Sequence, residues 1–122
     1  MADIIIRLVI AAILAALGQT AFKMFVSGAS GVPSIFSFSG IIAFMKNPFF
    51  VFGVFAYGAS LLIYLKALKI THLDFAYPLF LSFSAIAIVA ASFFFLKEPV
   101  TLARVLGILI IMAGIYVVWL SR

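Results

Sequence analysis

Four long apolar runs, each about the 20 residues that a helix needs to cross the hydrocarbon core of a bilayer, fill most of this 122-residue chain. They lie at about 4–26, 48–68, 75–96 and 101–120. Backbone polar groups in lipid must be satisfied within the segment, so apolar runs of this length read as helices. The sequence therefore predicts an all-α integral membrane protein with four transmembrane helices, forming a single membrane domain over 1–122. Composition agrees: 68% of residues are hydrophobic, 9% are charged and the mean hydropathy is +1.42, where a soluble domain has about a quarter of its residues charged.

Several function classes fall away at once. The chain has no cysteine and one histidine, which excludes disulfides and thiolate metal sites and argues against zinc. No cofactor is expected. The net charge of +5 comes from eight cations scattered mostly near the ends of the runs. There they anchor to lipid headgroups and give no basic patch for nucleic acid. The first run is too long for a signal-peptide core and no small-residue cleavage site follows it, so no cleavable signal is expected. The carboxylates Asp3, Asp74 and Glu98 sit at or beyond run ends. His72 and Asp74 have no nucleophile beside them and no P-loop is present, so neither a catalytic triad nor an ATP motor is read here.

Local signals place the boundaries. Asn47 is an N-cap and Pro48 suits the first turn of the second run. Pro78 falls in the first turn of the third run, where a missing N–H does little harm. Glu98 and Pro99 close that run, and Thr101 caps the fourth. Tyr116 and Trp119 suit an interfacial aromatic belt. The second and third connections are short, which predicts antiparallel neighbours. The first is longer, about 27–47. It opens on a Gly- and Ser-rich turn at 27–31, then from Pro33 carries Phe38, Ile41, Ile42 and Met45 at helical spacing. That segment is too short to span and reads as an amphipathic or re-entrant helix.

Four spans put both ends of the chain on one side, with Arg7, Lys66, Lys69 and Arg122. Lys23, Lys46, Lys97 and Arg104 fall on the other. Four against four gives no orientation by the positive-inside rule. Two readings stand: local charge placement decides, or the chain inserts both ways and pairs antiparallel around a cavity.

The embedded polar residues carry the functional question. In the first run Ala12, Ala16, Gln19 and Lys23 share one helical face, and Ala11, Ala15, Gly18 and Phe22 form the adjacent stripe. Small residues admit a close neighbour. Gln19 is either an interhelical hydrogen bond or a ligand contact, and Lys23 either snorkels to the interface or meets an anion. Tyr57, Ser60 and Tyr64 share a face of the second run, with Lys66 at its end. They read as a path lining or as bonds to neighbouring helices. Gly107 and Gly114 are seven residues apart, close to two turns, and mark a helix contact within or between protomers. Glu98 is expected to pair with Arg104 or with a cation of the first loop.

Gly18-Gln19 with Lys23 four residues on, Ala76-Tyr77-Pro78 opening the third run, Glu98-Pro99-Val100 closing it, and the Gly107/Gly114 pair resemble the small four-helix members of the drug/metabolite transporter superfamily. Their order and spacing are most similar to the subunits of the aminoarabinose-phosphoundecaprenol flippase, over essentially the whole chain. That resemblance implies half of a larger transporter plan, working as a homodimer or as a heterodimer with a second four-helix subunit in a bacterial inner membrane, in contact with membrane lipid and a lipid-linked sugar. The related small multidrug resistance proteins use a glutamate in the first helix. Aligned on Gly18 and Lys23, that position is Ala15 here, which argues against exchange of cationic drugs. The expected substrate is a polyprenyl-phosphate-linked sugar or similar amphipathic anion, its headgroup handled by Gln19 and Lys23, with Lys66, Tyr77, Tyr57 and Tyr64 as weaker candidates. The alternatives are an efflux or exchange protein for small solutes, and a non-transporting subunit that assists a glycosyltransferase.

Overall fold

The computed structural model describes residues 2–28 and 36–121. Its helices are α1 (Ala2–Gly28), α2 (Phe38–Lys46), α3 (Pro48–Leu68), α4 (Leu73–Phe94) and α5 (Leu102–Leu120). No strand occurs among the described residues. The helices α1, α3, α4 and α5 are long and apolar enough to cross a membrane.

The helix ends follow from local chemistry. Asp3 lies in the first turn of α1, where it complements the helix dipole, and pairs with Arg7 one turn on at 3.1 Å. Ser27 and Gly28, read from sequence as the start of a turn, instead complete α1. A helix already under way adds a hydrogen bond with each residue, so weak formers are tolerated at its end. Residues 29–31 and Pro33 lie outside the described residues.

The short helix α2 starts at Phe38, where the Ser37 hydroxyl accepts the Gly40 N–H at 3.1 Å. Its nine residues reach about 13 Å, far too little to span. Phe44 seats it against Phe25 of α1 and Phe50 of α3, at ring-centroid distances of 5.3 and 5.0 Å. Asn47 ends α2 and caps α3, its Oδ1 accepting the Phe49 and Phe50 N–H groups at 2.9 and 3.3 Å.

The start of α4 differs from expectation. The helix begins at Leu73 because the His72 carbonyl accepts from Phe75 and Ala76 at 3.2 and 2.9 Å. Pro78 is therefore the sixth residue of the helix and lies beyond its first turn. It cannot give the N–H that would reach the carbonyl of Asp74. Thr101 Oγ1 caps α5 by accepting the Arg104 N–H at 3.3 Å.

Helix α1 is the centre of the packing. Leu8, Ala67 and Ala76 form a buried cluster that joins α1, α3 and α4 at one end. From there α3 runs antiparallel to α1: the Ser60 hydroxyl donates to the Ala11 carbonyl at 2.6 Å, and Gly53 meets Gly18. Helix α4 runs parallel to α1, from Ala76 beside Leu8 to Ala87, Ala90 and Ala91 beside Ala16. The two small-residue stripes of α1 thus serve two neighbours. This explains why α3 and α4, expected to be full neighbours, touch only slightly. Each lies instead on its own stripe of α1, where small side chains allow the closer approach. Helix α5 packs on α4 alone among the helices, and none of its residues is buried.

Candidate functional site

At the end of α1 away from the Leu8 cluster, α1 and α4 part to leave a cavity of about 280 Å³. Gln19, Thr20 and Lys23 line it from α1, and Ile88 and Ser92 from α4. Leu96 and Glu98 complete it from the connection to α5. Helical spacing sets the α1 wall, since positions 19 and 23 are one turn apart and position 20 is adjacent. The Thr20 hydroxyl donates to the Ala16 carbonyl at 2.7 Å, which leaves its oxygen lone pairs as acceptors.

The opposite wall is shaped by the end of α4. Lys97 has φ of 53° and is the single non-glycine residue with positive φ among the described residues. A lysine in this left-handed region is strained by about 1–2 kcal/mol. The turn carries Glu98 back over the helix: its N–H donates to the Ser92 carbonyl at 3.2 Å, and its Oε2 accepts from the Ser92 hydroxyl at 2.5 Å. Its Oε1 stands 3.9 Å from the Lys23 ammonium. Glu98 thus pairs with Lys23, and not with Arg104 or a first-loop cation as expected. Arg104 is turned to the Pro99 carbonyl at 3.3 Å. The parallel run of α1 and α4 brings their ends together and makes Lys23 the cation in reach.

A second, apolar cavity of about 410 Å³ adjoins the first. Its α1 wall is Leu17, Thr20, Ala21 and Met24, facing Pro48, Phe49 and Phe52 of α3 and Phe95 at the end of α4. Thr20 borders both cavities. A compartment with one cation, one carboxylate, an amide and two hydroxyls therefore opens beside one in which Thr20 alone is polar. This pairing suits an amphipathic molecule, with a charged head in one and a hydrocarbon tail in the other.

The other residues singled out from sequence are distributed along the bundle. Tyr57 is on α3 opposite Gly18, with its ring 6.5 Å from Phe22. Tyr64 packs on Phe80 at 5.0 Å beside the Leu8 cluster. Its buried hydroxyl has no hydrogen-bond partner among the described residues. Lys66 and Tyr77 adjoin Ala67 and Ala76 of that cluster. From Leu8 to Lys23 is fifteen residues of α1, about 22 Å. The structure thus brings Gln19 and Lys23 together with Glu98, and sets Tyr64, Lys66 and Tyr77 near the opposite end. Sequence reading missed Thr20 and Ser92 as cavity residues. Thr20 was visible beside Gln19, but nothing local in the sequence tied Ser92 to Lys23. Gly18 lies against α3, with Gly53 and Tyr57 within van der Waals reach. Gly107 and Gly114 face open space, with nothing within 4 Å of where a methyl would stand. Packing of that pair within the described protomer is thereby removed as a reading.

Four helices long and apolar enough to cross a membrane define a multi-pass helical membrane protein. Over 108 residues, 88% of this chain and 90% of the relative, the sequence is 31% identical to the probable 4-amino-4-deoxy-L-arabinose-phosphoundecaprenol flippase subunit ArnE of Pseudomonas fluorescens. The chain belongs to the family of this flippase subunit. It is also 31% identical over 84 residues, 69% of this chain and 70% of the relative, to the uncharacterized protein y4nH of Sinorhizobium fredii. No family model matches the chain, and no solved structure matches it.

Proposed function

We propose that this protein is a subunit of a flippase-like transporter, of the drug/metabolite transporter superfamily, that moves a polyprenyl-phosphate-linked sugar or a similar amphipathic anion across a bacterial inner membrane. The observation that carries this reading is the polar cavity holding Gln19, Thr20 and Lys23 beside an apolar one. The Lys23 ammonium, on a side chain that is 54% exposed, meets the phosphate as a point charge, the Gln19 amide donates to phosphate oxygens, and the Thr20 hydroxyl oxygen accepts from a sugar hydroxyl. The hydrocarbon chain stays in lipid and along the apolar groove. Lys66 and Tyr77 meet the headgroup at the opposite end of its path, Tyr57 stands between, and Tyr64, with its hydroxyl buried, supports that end by packing on Phe80. The relative is named for a phosphoundecaprenol-linked amino sugar, which is a ligand of this build.

Ala15 supports the reading against a cationic-drug antiporter. It is 1% exposed, within the face of α1 that packs on α3, so the position where multidrug relatives carry a carboxylate is closed to a ligand within this protomer. The working unit is a dimer with a second four-helix subunit or a second copy, joined through the Gly107 and Gly114 face of α5.

The test is headgroup translocation in reconstituted vesicles. Lys23→Ala lowers the rate by roughly ten- to a hundredfold, the size of a lost hydrogen bond to a charged group, while the protein still assembles as a dimer. A Lys23→Ala protein that translocates at the wild-type rate rejects this function for the pocket.

A further inference from the structure

We infer that Glu98 is an internal counter-ion that holds Lys23 when the cavity is empty, and that an anionic ligand must displace it; Glu98 thereby sets how tightly an anion must bind before it can occupy the site. The inference rests on the reading of the cavity as a headgroup site and adds an affinity threshold to it.

Three observations carry it. First, Glu98 is anchored independently of Lys23. Its backbone N–H and its carboxylate both bond Ser92, and the left-handed Lys97 aims the residue there. Letting go of Lys23 therefore does not require the α4–α5 connection to leave its place. Second, the contact to Lys23 is long, 3.9 Å, between side chains that are 54% and 39% exposed. Exposed ion pairs are weak and screened by solvent, so this one is easily exchanged. Third, the pair stands on the wall of a cavity that Gln19 also lines, and the Gln19 amide N–H groups can join Lys23 around an arriving anion.

Competition of this kind sets a threshold. The cost of releasing Glu98 is the same for every anion, so it lowers affinity without changing the order of preference. Selection between anions comes from the other partners: a phosphate brings more acceptor oxygens than a carboxylate, so the Gln19 amide can share it with Lys23. The Thr20 hydroxyl, already donating to Ala16, offers an acceptor to a donor group carried by the ligand. The site so described admits anions that make more than the single contact to Lys23 and holds off weaker ones.

The experiment is calorimetric titration of purified protein in neutral detergent with dodecyl phosphate and with dodecanoate, two probes that share one tail. Wild type binds dodecyl phosphate about tenfold tighter than dodecanoate. Glu98→Gln keeps an acceptor for Ser92 and removes the charge. It binds dodecyl phosphate and dodecanoate each about three- to sixfold tighter than wild type, as expected if the pair is closed about seven- to eight-tenths of the time, and the preference between the two probes is unchanged. Glu98→Ala shows the same gain and serves if Glu98→Gln is not recovered folded. Lys23→Ala abolishes binding of both probes. Unchanged or weaker phosphate binding in both Glu98 variants, with binding still lost in Lys23→Ala, overturns the counter-ion role and leaves the headgroup site standing. Binding that survives in Lys23→Ala, or that is absent from wild type and both Glu98 variants, overturns both. Binding seen in the Glu98 variants alone supports the counter-ion.

Discussion

Gly18 and Gly53 face each other where α1 and α3 come closest. A methyl at Gly53 would stand 2.6 Å from the Phe22 ring and 3.0 Å from the Gly18 carbonyl oxygen. At Gly18 it would meet the Gly53 carbonyl oxygen at 3.0 Å and the Tyr57 nitrogen at 3.1 Å. Rigid backbone on one side leaves little room to adjust, so Gly18→Val is expected to destabilise by about 1–3 kcal/mol, the usual range for overpacking. Reversible unfolding in mixed detergent micelles measures it. Ser60→Ala removes the hydroxyl bond to Ala11 and is expected to lower stability by about 0.6 kcal/mol, the average for such bonds in membrane proteins. The two residues differed in legibility. Gly18 belongs to a stripe of small residues at helical spacing, which a sequence displays. Gly53 lies alone among phenylalanines, and its role depends on a partner helix. Glu98 was legible as the end of a run and not as the partner of Lys23, because that pairing is set by the parallel course of two helices distant in sequence.

At the scale of the element, α3 was the easiest to place. Asn47 and Pro48 mark its start with a side-chain cap and a fixed φ, and these signals need no tertiary context. The start of α4 was not, since His72 offers only its backbone carbonyl. The start of α2 was read only as lying beyond Pro33, whereas the Ser37 hydroxyl fixes it immediately before Phe38, the first of the apolar residues at helical spacing. Helix α5 buries no residue within the described protomer, and its glycines meet nothing. Gly107→Leu with Gly114→Leu is therefore expected to leave the unfolding of the isolated protomer unchanged within about 0.5 kcal/mol, while weakening association in bilayers. Unfolding in dilute detergent and single-molecule co-localisation in vesicles separate the two effects. A large loss of protomer stability would show that α5 is held internally.

For the whole molecule, the all-helical, four-span plan was readable because bilayer thickness fixes the length of a spanning helix. The arrangement of the spans was not. Short connections argued for neighbours in chain order, yet α3 and α4 each turn to α1. A sequence shows that α1 has two small faces, but not that both are filled from within the chain. The division of the charged residues between two ends does follow from the alternating course of the spans: Arg7, Lys66 and Lys69 fall near the Leu8 cluster, and Lys23 and Lys97 near the cavity.

The central place of α1 also has a bearing on how the protein is made. Lys23 is synthesised seventy-five residues before Glu98, about 4–15 s at ordinary rates of translation. The pair between Lys23 and Glu98 therefore closes only after α3 and α4 have been made, and completing the polar cavity depends on α4 docking along α1.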